Sequence, residues 1–275
     1  MARDDPVTLE AVHGPAGAQG LVVQGRPTRC RETGTGRPLV LVHGAGGSGE
    51  LWSPQLEGLA DVARLLAVDL PGHGGTPGPG LLSIPAYADW VVAFLDTAGL
   101  DRVVVGGHSM GGAVAQVLAL THPDRLAGLV LVATGARLRV IHRLLEALRE
   151  TPPEGRSLIH AWSYGPRTPP ERVALADRVL AETAPLVTLG DYLACNRFDE
   201  LGRIDRVRVP TLVVAGMEDR LTPPKFARAL VDAIPGARLA EIPAVGHFPQ
   251  LEEPDAVNRA IRGFLVSLGA PLPGV

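Results

Sequence analysis

A chain of 275 residues with 46% hydrophobic and 20% charged content can bury a sizeable core as one domain, with room for an insertion. Its net charge of −3 and scattered arginines offer no basic face to nucleic acid or an anionic membrane, and no apolar run approaches the roughly 20 residues that span a bilayer. Cys30 and Cys195 stand far apart without metal-ligand spacing, and Met1 to Pro6 carries no apolar leader stretch, so a reduced, cytoplasmic protein that uses no metal is expected.

In chain order, strand-like runs fall at Gln19 to Gln24, Thr28 to Glu32, Leu39 to Val42, Leu65 to Asp69, Val103 to Gly106, Gly128 to Ala133, Thr211 to Ala215 and Arg238 to Ile242. The first two, joined by Gly25-Arg26-Pro27, read as an antiparallel hairpin feeding the sheet. Several others are continuously apolar, as a sheet covered on both faces requires. Helical patterns lie between them at about Ser83 to Ala98, Met110 to His122, Pro223 to Ile234 and Pro254 to Leu268. The expectation is an α/β fold with a mostly parallel, eight-stranded sheet. Between about Ala136 and Asp205 the alternation gives way to helical pattern broken by Thr151-Pro152-Pro153 and Pro166-Arg167-Thr168-Pro169-Pro170. Residues 1–135 and 206–275 are thus assigned to the core and 136–205 to a helical cap inserted over the sheet's C-terminal edge. Trp162, Tyr164, Tyr192 and Phe198 in that cap, with Phe248 beyond it, are candidates to line a substrate pocket.

The chemistry concentrates at Gly106-Gly107-His108-Ser109-Met110-Gly111-Gly112, between the Val103-Val104-Val105 run and a helical run. A serine with glycine two residues before and two after, at a strand-to-helix junction, has the pattern of a nucleophile elbow, a turn too sharp for a Cβ at either flank. A serine hydroxyl is a poor nucleophile unless an imidazole takes its proton and a carboxylate fixes that imidazole's tautomer. In open α/β sheets such partners sit in loops after strand C-terminal ends. Those loops here hold Gly216-Met217-Glu218-Asp219-Arg220 and Pro243-Ala244-Val245-Gly246-His247-Phe248. Asp219 and His247 are the expected acid and base, with Glu218 the alternative acid. The oxyanion of the intermediate needs two backbone N–H donors. Met110 supplies one, and the loop His43-Gly44-Ala45-Gly46-Gly47-Ser48-Gly49 the other, at Ala45.

These pieces together resemble the α/β-hydrolase fold superfamily from about Pro38 to Leu268: LVLVHGAGGSG, DLPGHG at Asp69 to Gly74, GHSMGG at Gly107 to Gly112, GMEDRLTPP at Gly216 to Pro224 and GHFPQLEEPDAV at Gly246 to Val257. The resemblance implies Ser109 as nucleophile, His247 as base, Asp219 as orienting acid, and the N–H groups of Ala45 and Met110 as oxyanion donors. Haloalkane dehalogenases and epoxide hydrolases of this fold need aspartate where Ser109 stands, and carbon-carbon hydrolases typically carry asparagine where His108 stands. Gly44 to Gly49 also matches the Gly-x-Gly-x-x-Gly nucleotide fingerprint with Asp69 downstream, but Pro54 interrupts the helix that a pyrophosphate would need, and no cofactor is expected. The expected activity is a serine hydrolase cleaving carboxylic esters of small to medium size, acting on a small molecule rather than on nucleic acid or membrane. Carbon-carbon or enol-lactone hydrolysis and cofactor-free haloperoxidase activity are the alternatives within the fold, and a non-enzymatic ligand receptor is the alternative from another class.

Overall fold

The computed structural model describes residues 20–269; Met1 to Pro6, and Gln19 where the sequence places the first strand's start, lie outside them. The described chain opens with a two-stranded antiparallel hairpin, β1 (Leu21–Val23) and β2 (Arg26–Thr28). A seven-stranded sheet follows, made of β3 (Cys30–Thr33), β4 (Pro38–Val42), β5 (Arg64–Val68), β6 (Val103–His108), β7 (Leu126–Val132), β8 (Thr211–Gly216) and β9 (Arg238–Ile242). Its spatial order is β3-β5-β4-β6-β7-β8-β9, with β3 antiparallel to β5 and every other pair parallel.

Two expectations are corrected by this topology. Among the described residues the sheet has seven strands rather than eight, because the hairpin stands apart from it. The Thr28 to Glu32 run is divided: Thr28 pairs with Leu21 at the end of β2, while Cys30 to Thr33 pair with β5. The reversal sits at Gln24-Gly25, whose positive φ values of 48° and 76° suit a tight hairpin turn, so Arg26 and Pro27 are left inside a strand. Proline is tolerated there because a two-stranded ribbon is all edge.

The apolar runs work as a two-sided wall. Val40, Val42, Val103, Val105, Leu129 and Leu131 point into one cluster with α2 (Ile84–Thr97), α3 (Met110–Thr121) and α8 (Pro224–Ala233). Their neighbours Leu39, Leu41, Val104, Val130 and Val132 point into a second with α1 (Ser53–Gly58) and α10 (Pro254–Ser267). Successive strand residues face opposite sides, so only a strand covered twice is apolar at every position. Each such side chain, fully buried, contributes about 1.5–3 kcal/mol. Local signals set the helix starts: the Ser83 hydroxyl accepts from Ala86 N–H at 3.2 Å ahead of α2.

Between β7 and β8 lie α4 (His142–Glu150), α5 (Pro152–Ser163), α6 (Pro170–Glu182) and α7 (Pro185–Arg197). The Pro-Pro pairs that break the sequence pattern are helix starts, since proline at a first helical position loses no hydrogen bond and arrives with helical φ. The segment's two ends meet, with Arg137 bridging Asp199 in antiparallel fashion and Glu200 N–H donating to Ala136 C=O at 2.7 Å.

The strand order locates the chemistry. After β4 the chain steps outward to β5 and then returns to the other side of β4 with β6, so the loops leaving β4 and β6 diverge and open a crevice at their C-terminal ends. That crevice holds Gly44 to Gly49 on one side and Ser109 on the other.

Candidate active site

Ser109 joins β6 to α3 with φ 51° and ψ −112°, a conformation that costs a non-glycine residue about 1–3 kcal/mol. Its surroundings enforce it. A Cβ on Gly107 would lie 2.1 Å from the Gly111 carbonyl oxygen, and one on Gly111 would lie 2.3 Å from that of Val42. Ser109 N–H donates to Val132 C=O at 2.9 Å, and the Thr134 hydroxyl donates to the Ser109 carbonyl at 2.8 Å. Ser109 is only partly buried although its neighbours are buried, so the turn lifts it toward the crevice. Gly44 lets the β4 loop close on this elbow, since a Cβ there would stand 2.8 Å from His108 Nδ1 and 3.3 Å from Ser109 Cβ. The N–H groups of Ala45, in that loop, and of Met110, at the start of α3, donate to no described residue.

Asp219 and His247 are both almost fully buried, and His247 Nδ1 lies 2.8 Å from Asp219 Oδ2. Asp219 Oδ1 accepts from the N–H groups of Leu221 (2.8 Å) and Thr222 (2.9 Å), and the Thr222 hydroxyl donates to Oδ2 at 2.7 Å. Burial pushes the Asp219 carboxyl up, but the His247 charge and the hydrogen bonds from His247 and Thr222 outweigh it and hold the group below the ordinary carboxylate range. An ionised Asp219 accepts a hydrogen bond from the proton on His247 Nδ1, so that in the neutral ring Nε2 carries the lone pair. Glu218 is exposed instead, its side chain outside this arrangement. Both Ser109 and His247 line one cavity of about 300 Å³.

Two buried carboxylates that sequence reasoning missed brace the two loops. Asp191, on α7, accepts from Gly46 N–H and His73 Nε2 at 2.8 Å each and from the Tyr87 hydroxyl at 2.7 Å. It therefore fixes the peptide that follows Ala45. His73 Nδ1 faces the Pro71 carbonyl at 3.0 Å, so both ring nitrogens meet acceptors and the ring is an imidazolium. Burial opposes that charge, but Asp191 prevails and raises the His73 pKa. Glu252, at the end of α9 (Pro249–Glu252), accepts from the N–H groups on either side of His247, Gly246 at 3.0 Å and Phe248 at 3.0 Å, and from Gly165 N–H (2.8 Å) and the Thr168 hydroxyl in the helical segment. The signal available in sequence was an isolated acid in the apolar stretch Leu189 to Leu193, and for Thr222 its place three residues after an aspartate.

Asp69, the acid that completes the nucleotide fingerprint, spends its carboxylate internally, accepting from Gly49 N–H (2.7 Å), Gly75 N–H (2.8 Å) and Arg31 (3.2 Å). His43 accepts from Leu70 N–H at Nε2 (3.1 Å), so its Nδ1 proton goes to the Gly44 carbonyl (2.8 Å) and the ring is neutral. Burial, with the nearby His73 charge, pushes its pKa well down. His108 is likewise kept neutral by burial, its pKa lowered to about 3, while Nε2 meets the His247 carbonyl at 2.7 Å and Nδ1 has no partner. Among the described residues no group of three or more His, Cys, Asp or Glu could hold a metal, and no helix is long and apolar enough to cross a membrane.

Of the five aromatic pocket candidates, Trp162 and Tyr192 line the cavity with Ser109, and Tyr192 and Phe248 line a smaller hollow that also reaches Ser109. Tyr164 and Phe198 line neither. The Tyr164 hydroxyl is turned to Asp177 on α6 at 2.8 Å and its ring stacks on Phe248, so it joins the helical segment to the core. Phe198 follows α7 and packs into the main core cluster. Ala45 lines it too, and Leu138, Arg139, Val140, Ile141, Leu144, Cys195, Arg220, Leu221 and Thr222 complete the cavity wall. They come from loops, the start of α4 and the end of α7 without periodicity, and no pattern marks them in advance.

A parallel sheet with a serine at the β6–α3 elbow, and a buried histidine–aspartate pair on the loops after β8 and β9, is the architecture of the α/β-hydrolase fold. The chain belongs to the alpha/beta hydrolase family, whose model matches residues 39–260. It is 32% identical over 248 residues to "Putative carbamate hydrolase RutD" of Azorhizobium caulinodans, covering 84% of this chain and 92% of that one. Among solved structures it resembles a thermophilic esterase from Thermogutta terrifontis, with TM-score 0.83, 30% identity and coverage of 90% of this chain and 97% of that chain. It also resembles the enol-lactonase from Burkholderia xenovorans, with TM-score 0.81, 26% identity and coverage of 92% and 100%.

Proposed function

We propose that this hydrolase-family enzyme cleaves carboxylic esters of small to medium size through an acyl-enzyme on Ser109. The observation that carries the reading is the convergence on one cavity of a strained, accessible Ser109 and a His247 whose Nδ1 is held by ionised Asp219. His247 Nε2 takes the Ser109 proton as Oγ attacks the ester carbonyl, and Asp219 stabilises the imidazolium. The N–H groups of Ala45 and Met110 receive the oxyanion, the latter aided by the positive end of α3. The imidazolium then gives its proton to the departing alcohol, and water repeats the sequence on the acyl-enzyme. The helical segment 136–205 acts as a cap that sizes the substrate through Trp162 and Tyr192. The small-molecule substrate needs no metal or organic cofactor in this scheme.

The test is labelling by a fluorophosphonate probe together with hydrolysis of p-nitrophenyl esters from acetate to palmitate, by the wild type and by Ser109→Ala. Both activities are expected in the wild type, with an optimum at short acyl chains, and neither in a variant that keeps its melting temperature. A folded wild type that does neither would overturn the reading and favour a ligand receptor. A lactone is the second reading, favoured by the structural likeness to an enol-lactonase. It presents the same carbonyl to Ser109 but leaves the alcohol attached.

A further inference from the structure

Resting on that reading, we infer that the cavity around Ser109 is built for an ester that also carries a free carboxylate, received by the guanidinium groups of Arg139 and Arg220. The two arginines come from separate loops, one leaving β7 toward the helical segment and the other directly after Asp219, and both line the cavity that holds Ser109 and His247. No aspartate or glutamate lines it. Neither arginine makes a salt bridge or side-chain hydrogen bond with a described residue, whereas nearby arginines are matched: Arg137 with Asp199 at 3.5 Å, and Arg203 with Glu200 at 2.7 Å. Glu218, two residues before Arg220, does not line the cavity, and it is exposed as Arg139 and Arg220 are.

Arg139 and Arg220 are exposed, so two unpaired guanidinium groups set a positive potential at the solvent-facing side of the cavity, where no carboxylate in the wall offsets it and salt screens it in part. A guanidinium presents paired donors that match a carboxylate, and Tyr192, which lines the same cavity and makes no side-chain hydrogen bond to a described residue, brings a neutral hydroxyl donor. The volume of about 300 Å³ sits at the small end of ligand sites and suits a short dicarboxylate half-ester. One carboxyl is esterified at Ser109 and the other stays free at the arginines. Hydrolysis of such a half-ester consumes one water and releases the dicarboxylate, the alcohol and one proton.

The experiment compares monomethyl glutarate with methyl 5-methylhexanoate, a neutral ester in which an isopropyl group replaces the carboxylate, by methanol release at fixed mildly alkaline pH. The wild type is expected to favour the anion by about tenfold in kcat/KM at low salt, and less at high salt. In Arg139→Gln/Arg220→Gln the ratio of the two kcat/KM values should collapse toward one, and in Arg139→Lys/Arg220→Lys it should be kept in part. Because the ratio is internal to each variant, a partial loss of folded protein cancels. A wild type that cleaves the neutral ester at least as well as the anion overturns the inference while leaving the hydrolase reading intact, as does a preference that survives removal of both guanidinium groups. Cleavage of neither methyl ester or of any p-nitrophenyl ester overturns the hydrolase reading itself.

Discussion

Asp219 and Glu218 are neighbours in the chain, yet only one of them bonds His247. The choice follows from the loop after β8, which turns Asp219 under the imidazole and feeds it the N–H groups of Leu221 and Thr222. Asp219→Asn is expected to lower kcat by about 10³- to 10⁴-fold, because the amide permits the wrong imidazole tautomer. Glu218→Gln should leave kcat nearly unchanged, and steady-state kinetics on a p-nitrophenyl ester that reversed this order would move the acid to Glu218. The Thr222 hydroxyl lies 2.7 Å from Asp219 Oδ2 and 3.2 Å from His247 Nδ1, so it helps hold the carboxylate at the ring. Thr222→Val, which keeps the shape and removes that donor, should lower kcat by about three- to tenfold, as loss of one hydrogen bond implies, with little change in KM.

At the scale of elements, the helices between β7 and β8 are wired into both loops of the candidate site rather than laid loosely over it. Asp191 on α7 reaches Gly46, separated by 145 residues in sequence, and Glu252 ties the His247 loop to Gly165 and Thr168. Removing one partner from a buried ion pair leaves the other charge uncompensated, so Asp191→Ala should cost about 3–5 kcal/mol in denaturant unfolding. Asp191→Asn retains an acceptor for Gly46 N–H but not the charge that holds His73 as a cation, and about 2 kcal/mol is expected for it. Its kcat should fall more than its KM rises, because loosening the peptide after Ala45 disturbs the adjoining Ala45 N–H, the group proposed to receive the oxyanion. Equal loss in both parameters, or none, would separate Asp191 from the positioning of that loop.

For the whole molecule, three buried histidines set opposing pH dependences. His43 and His108 are held neutral, His108 with a pKa near 3, so the unfolded chain binds protons there that the folded chain refuses. Stability from these rings is present above the unfolded value of about 6.5 and is lost as pH falls below it. His73 behaves oppositely: its pKa is raised, so its contribution is full below about 6.5 and is lost as pH climbs through the folded value. Urea midpoints should therefore peak near neutral pH and decline on both sides, and Asp191→Asn should flatten the alkaline limb alone. An acid limb that begins only near pH 4, where ordinary carboxylates titrate, would contradict the neutral buried rings.

Much of this was legible in the chain itself, because strands covered on both faces write themselves as unbroken apolar runs, and a sharp elbow needs its glycines within two residues of the serine. The chain order of Ser109, Asp219 and His247 and the fold class follow from such short-range constraints. Only the tertiary structure divided Thr28 from Cys30 and made the sheet seven-stranded, since pairing partners decide where a strand belongs. Only it removed Tyr164 and Phe198 from the cavity wall and placed Arg139, Arg220 and Leu138 there, because which face of an irregular loop meets a cavity depends on what packs behind it. The carboxylates of Asp191 and Glu252 carry no local signature for the same reason: each is defined by hydrogen-bond donors brought to it from other parts of the chain, and such a constellation exists only once the chain is folded.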